Sequence, residues 1–79
     1  MILTSHGRAT LIAGEILKHF DSQEFTATEA ERNVRGFRSY AYSLRSSKVI
    51  TRHLAERSND PARYRLTSEA IERLRRMGY

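Results

Sequence analysis

Between Phe37 and Ser47 the chain reads FRSYAYSLRSS, and KVITRHLAER follows at once. Taken at helical spacing, Phe37, Tyr40, Ala41 and Leu44 share one side, in the i, i+3, i+4, i+7 pattern. Arg38, Ser39, Tyr42, Ser43, Arg45 and Ser46 share the other. This second face carries two guanidiniums, several hydroxyls and an aromatic ring, and no acid. A guanidinium presents a fork of donors that fits a phosphate or the paired acceptors on a guanine edge, and hydroxyls serve either. The chemistry that suits this pattern is non-covalent recognition of a nucleic acid by a helix laid against it.

Such a helix needs a scaffold, and composition bounds what that scaffold is. A chain of 79 residues makes one domain with one small core. A domain of this size buries only roughly 60–65% of its unfolded surface, so modest stability is expected. There is no cysteine, hence no disulfide framework and no thiolate metal site. The apolar run Leu11-Ile12-Ala13 is soon interrupted by Glu15, so neither a membrane span nor a signal peptide is expected. The expectation is a cytoplasmic protein, nucleoid-associated or in a host cytoplasm if viral.

The net charge of +5 is unevenly spread. Residues 1–31 hold two basic and five acidic side chains, net −3, and residues 66–79 hold three basic and two acidic, net +1. Residues 32–65 hold nine basic and two acidic, net +7. A cationic middle third on an otherwise balanced chain is the asymmetry that binding to a polyanion requires. A solvated basic surface is the bland alternative.

The elements that would position that third follow in order. Residues 1–8 form a lead-in, with Gly7 at a turn. Leu11, Ile12, Ile16, Leu17 and Phe20 recur with a helical period and predict a first helix over 9–20. Gly14 in its interior costs about 1 kcal/mol against alanine and suggests close approach of another helix. Thr26 with Glu29 fits a capping box, which opens a second helix over 26–34 with Ala30 and Val34 facing inward. Gly36 supplies a tight turn, and the third helix runs 37–47, closed by the serine pair. Val49 to Arg57 is periodic enough to continue that helix, yet Val49-Ile50-Thr51 is β-branched. The turn signal Asn59-Asp60-Pro61-Ala62 and the alternating Arg63-Tyr64-Arg65-Leu66-Thr67 decide for a hairpin over 49–67. Thr67-Ser68-Glu69 then starts a last helix over 68–77, with Ala70, Ile71, Leu74 and Met77 inward and Arg73, Arg75 and Arg76 toward its end.

Helix, short strand, helix, turn, helix, hairpin, helix is an α+β order that resembles the winged helix–turn–helix superfamily of DNA-binding domains, in its small prokaryotic or viral regulators. The resemblance spans residues 9–77. Leu44 to Arg52 (LRSSKVITR) resembles the junction where a recognition helix meets the first wing strand. Arg63 to Glu69 (RYRLTSE) resembles the second wing strand running into a capped C-terminal helix. Two features depart from the family: Lys48 stands where glycine is common in the helix-to-strand turn, and the second helix, with Glu29-Ala30-Glu31-Arg32, is unusually charged.

The resemblance implies that Arg38, Ser39, Tyr42, Ser43, Arg45 and Ser46 enter the major groove of double-stranded DNA, with Arg38 and Arg45 first for base readout. It implies that the wing tip, Arg57 to Arg63, reaches phosphates or the minor groove, that Arg52 and Arg65 support backbone contacts, and that Lys48 is also among the DNA-binding residues. Tyr40 is expected in the core, Tyr64 beneath the wing, and Tyr42 on a phosphate or a base. The function this implies is sequence-specific DNA binding by a transcriptional regulator acting as a homodimer, with Ile2, Leu3, Ile71, Leu74 and Met77 as apolar surface for the second copy. An accessory protein of replication, recombination or packaging in a mobile element fits the same residues. A winged-helix platform for an acidic protein or RNA is a third reading.

Other chemistries find no motif. His6, His19 and His53 lack metal-ligand spacing, so no metal is expected. No Gly-x-Ser-x-Gly elbow and no glycine-rich phosphate loop is present. Neither enzyme activity nor a cofactor nor a small-molecule ligand is expected.

Overall fold

Phe25 stands alone in a polar stretch of sequence, and the fold closes around it. The computed structural model describes residues 7–57 and 59–79. Its elements are α1 (Arg8–Phe20), β1 (Phe25–Thr26), α2 (Ala27–Asn33), α3 (Phe37–Ser46), β2 (Ile50–His53), β3 (Arg63–Leu66) and α4 (Ser68–Arg76). The architecture is a small α+β fold of four helices and a three-stranded antiparallel sheet in the order β1-β3-β2.

The ring of Phe25 is fully buried. It stacks on Phe20 at 4.6 Å and on Tyr64 at 6.1 Å, and meets the edge of Phe37 at 5.8 Å. Tyr64 in turn meets Phe37 at 5.7 Å. Four rings thus tie the end of α1, β1, the start of α3 and β3 into one cluster, each pair adding about 0.5–1.5 kcal/mol beyond its area. This burial draws residues 25–26 alongside β3, where Phe25 faces Tyr64 and Thr26 faces Arg63. Periodicity predicts only β2 as the partner of β3, because two residues are too few to alternate. In the fold β3 is the central strand, paired also with β2 in the register Ile50 to Leu66, Thr51 to Arg65, Arg52 to Tyr64 and His53 to Arg63.

The stripe of α1 needs one correction. Ile12, Ala13, Ile16 and Leu17 are buried, whereas Leu11 is half exposed. At 100° per residue, Leu11 falls nearly opposite the centre of the buried arc. Gly14 also has a different neighbour from the helix expected. The ring of Tyr79 lies over it, so close that a Cβ at position 14 would overlap the ring carbons.

Tyr79 reaches that position through the end of α4. Gly78 adopts φ +99°, its N–H donates to the carbonyl of Arg75 (3.1 Å), and the N–H of Tyr79 donates to that of Leu74 (3.0 Å). These are the two bonds of a Schellman motif. Along α4, Ala70 and Leu74 are fully buried, and Ile71 and Met77 pack against the core half-buried. Three of the five residues named as apolar surface for a second copy are therefore engaged within one copy. Ile2 and Leu3 lie outside the described residues, as does the lead-in through His6. Among the described residues no helix is long and apolar enough to cross a membrane.

Candidate nucleic-acid interface

The start of α3 is built by its neighbours. Gly36 takes φ +87°, a left-handed conformation that glycine adopts without steric cost, and turns the chain from α2 into α3. No side chain of α3 itself caps its first turn. Instead the carboxylate of Glu31, on α2, accepts a hydrogen bond from the Arg38 backbone N–H at 2.9 Å. A carboxylate at a helix N-terminus satisfies a free donor and meets the positive end of the dipole. The charge of α2, which reads in sequence as a departure, thus has a use: one of its acids holds α3. No local spacing reveals this, because Glu31 and Arg38 belong to different helices.

α2 is itself capped in both directions. The Thr26 N–H donates to Glu29 Oε1 (3.0 Å), and the Glu29 N–H donates to Thr26 Oγ1 (3.2 Å). The Thr26 backbone N–H first, and then the Thr26 side chain, hold the Glu29 carboxyl below its ordinary value, with Arg63 and Arg32 nearby acting in the same direction.

Along α3, Phe37 and Leu44 are buried and Tyr40 and Ala41 are half-buried against the core. Arg38, Ser39, Tyr42, Ser43, Arg45 and Ser46 are all exposed. Tyr42 has 77% of its surface open to solvent.

The end of α3 repeats the device seen in α4. Lys48 N–H donates to the carbonyl of Arg45 (3.0 Å) and Val49 N–H to that of Leu44 (2.8 Å), a second Schellman motif. Here Lys48 occupies the glycine position, with φ +62°. A lysine in this region costs roughly 1–2 kcal/mol, and the surroundings hold it there. Val49 and Leu44 are both buried, supplying the apolar contact of the motif. The Thr67 hydroxyl donates to the Lys48 carbonyl (2.9 Å) while accepting from the Ala70 N–H (3.2 Å), so one side chain caps α4 and clasps the α3–β2 turn. The Thr67 N–H donates to the Val49 carbonyl (3.0 Å).

This turn gathers cations. Arg45, Lys48 and Arg52 line one groove, whose other wall is Thr67, Ser68 and Glu69 at the start of α4. Arg52 belongs to the sheet face that Ile50, Leu66 and Tyr64 share, the face packed on the core side. Arg63 and Arg65 lie with Thr51, His53 and Thr26 on the opposite face. The hairpin therefore puts Arg52 on one face, in the groove with Arg45 and Lys48, and Arg63 and Arg65 on the other. Arg57 is exposed in the loop between β2 and β3, and its neighbour Ser58 lies outside the described residues. None of these cations forms an ion pair among the described residues; the pairs are His19 with Glu15, Arg75 with Asp21 and Arg76 with Glu72.

His19 lies on α1 and His53 on β2, with His53 Nε2 3.2 Å from the Thr51 hydroxyl. Among the described residues no group of three or more metal-ligating side chains comes together. Compared with protein-family models, with curated proteins and with solved structures, the chain matches none.

Proposed function

We propose that this chain binds double-stranded DNA as a winged helix–turn–helix protein, with α3 in the major groove and the β2 side of the hairpin on the flanking backbone. The observation that carries the reading is the outer face of α3. It is exposed along its whole length, has no acid, and adjoins the groove lined by Arg45, Lys48 and Arg52, where Glu69 on the far wall is the one acid. An unpaired cationic surface of this kind releases counterions when it meets a polyanion, which supplies affinity, while Arg38 and Arg45 have the donor geometry to read guanine. The order of elements and the strand order β1-β3-β2 are compatible with the winged-helix arrangement and support it. Within this reading the chain is a sequence-specific regulator.

The test is selection from a random duplex pool at two salt concentrations, with sequencing of what the protein retains. A recovered motif is the expected result, and an inverted repeat would give the spacing of two copies. Salt-sensitive retention without a motif would transfer the chain to accessory or architectural DNA binding. No retention at low salt would overturn the proposal and leave the basic face to RNA or an acidic protein.

A further inference from the structure

Tyr42 is the most exposed large apolar side chain among the described residues. It also stands midway between the two guanidiniums of the α3 face. Arg38, Tyr42 and Arg45 are spaced i, i+4 and i+7, so they lie close to one line along the helix. At 1.5 Å per residue, Tyr42 is about 6 Å along the axis from Arg38, and Arg45 about 4.5 Å further. Base pairs are stacked about 3.4 Å apart, so the three side chains span roughly three base steps.

A tyrosine here has to be matched to what a major groove offers. The groove presents donors, acceptors and one apolar group, the 5-methyl of thymine. The arginine forks account for donor–acceptor pairs, and charged groups for phosphate stand beyond the end of the helix at Lys48 and Arg52. A neutral phenol ring adds little to phosphate affinity beside them. Its carbon face suits the methyl. The side chains next to it permit close approach: among the described residues Tyr42 shares a cleft with Ala9, Ser43, Ser46 and Ser47, all small.

We infer that Tyr42 reads the 5-methyl group of a thymine that lies between bases contacted by Arg38 and Arg45. The inference rests on the DNA-binding proposal and adds to it the chemical class of the site, a short guanine-containing element with an obligatory thymine near its centre.

Deoxyuridine tests it directly, since it keeps every hydrogen-bonding group of thymidine and lacks only the methyl. The selected duplex is remade with deoxyuridine at one thymidine at a time and titrated with the wild-type protein, Tyr42→Phe and Tyr42→Ala. One replacement is expected to weaken wild-type binding about fourfold, the equivalent of about 0.8 kcal/mol for one buried methyl group. Tyr42→Phe is expected to keep that discrimination, because the ring and not the hydroxyl makes the contact. Tyr42→Ala is expected to bind both duplexes alike, and its thermal melt, at so exposed a position, to match wild type. Three results would each overturn the inference while leaving DNA binding intact: a selected motif without a central thymine, or no motif; indifference of the wild type to every replacement; or a fourfold penalty that persists in Tyr42→Ala. No retention of any duplex would remove the DNA-binding proposal, and the inference with it.

Discussion

A single guanidinium is the smallest unit at which the proposed recognition can be tested. Arg45 sits at the last turn of α3, exposed, and on the same groove as Lys48 and Arg52. Arg45→Ala is expected to weaken binding to the selected duplex by about 1–3 kcal/mol in a direct titration, with a smaller effect on unrelated duplexes. The two sides of the hairpin give a sharper contrast. Arg52→Ala should weaken all duplexes alike and lower the salt-dependence slope by about one, whereas Arg65→Ala, on the far face of the sheet, should leave both unchanged. Equal losses from the two would mean that DNA wraps behind the wing. Lys48 joins affinity to strain. Lys48→Gly relieves the left-handed backbone and is expected to raise stability by about 0.5–1 kcal/mol in chemical denaturation, while lowering duplex affinity through the lost cation.

Helices in this chain depend on one another's side chains for their ends. Glu29 and Thr26 close α2, Glu31 of α2 closes the start of α3, and Thr67 closes α4 while holding the turn after α3. The capping box carries a pH signature. The folded carboxyl of Glu29 is held below its unfolded value, so its charge stabilises the fold fully above the unfolded pKa, and that contribution is lost as pH falls through the folded one. Melting temperatures of wild type and Glu29→Gln should therefore differ at neutral pH and converge as the solution is acidified through that range. Much of this level was legible beforehand. The capping box, the glycine turn before α3 and the serine pair at its end are local signals, and the helix boundaries follow from them. Residues of the α3 face were legible for the same reason, since a ten-residue helix with a clean apolar side leaves the other side open. Contacts that bridge elements were not. Glu31 meets a donor seven residues away across a turn, β1 is too short to show a period, and the split of Arg52 from Arg65 depends on a register that only the completed sheet defines.

Over the whole molecule, closure is achieved by Tyr79 and by the central strand. The Tyr79 ring seated on Gly14 predicts an interaction that single substitutions would misreport. Gly14→Ala improves helix propensity by about 1 kcal/mol but drives a methyl into the ring. In a Tyr79→Ala background the same change should be stabilising, and a double-mutant cycle by thermal or denaturant unfolding should give a coupling of about 1 kcal/mol. Coupling near zero would mean that the ring is not held there. The central strand has a consequence for how the molecule is made. β3 lies between residues 63 and 66, yet both outer strands, including β1 at residues 25–26, pair only with it. Until β3 joins the sheet, Phe25 lacks Tyr64, which is both its strand partner and one of its ring neighbours. The segment carrying the cationic helix thus acquires its fixed shape only when residues well beyond it in sequence, those of β3, have paired with both outer strands.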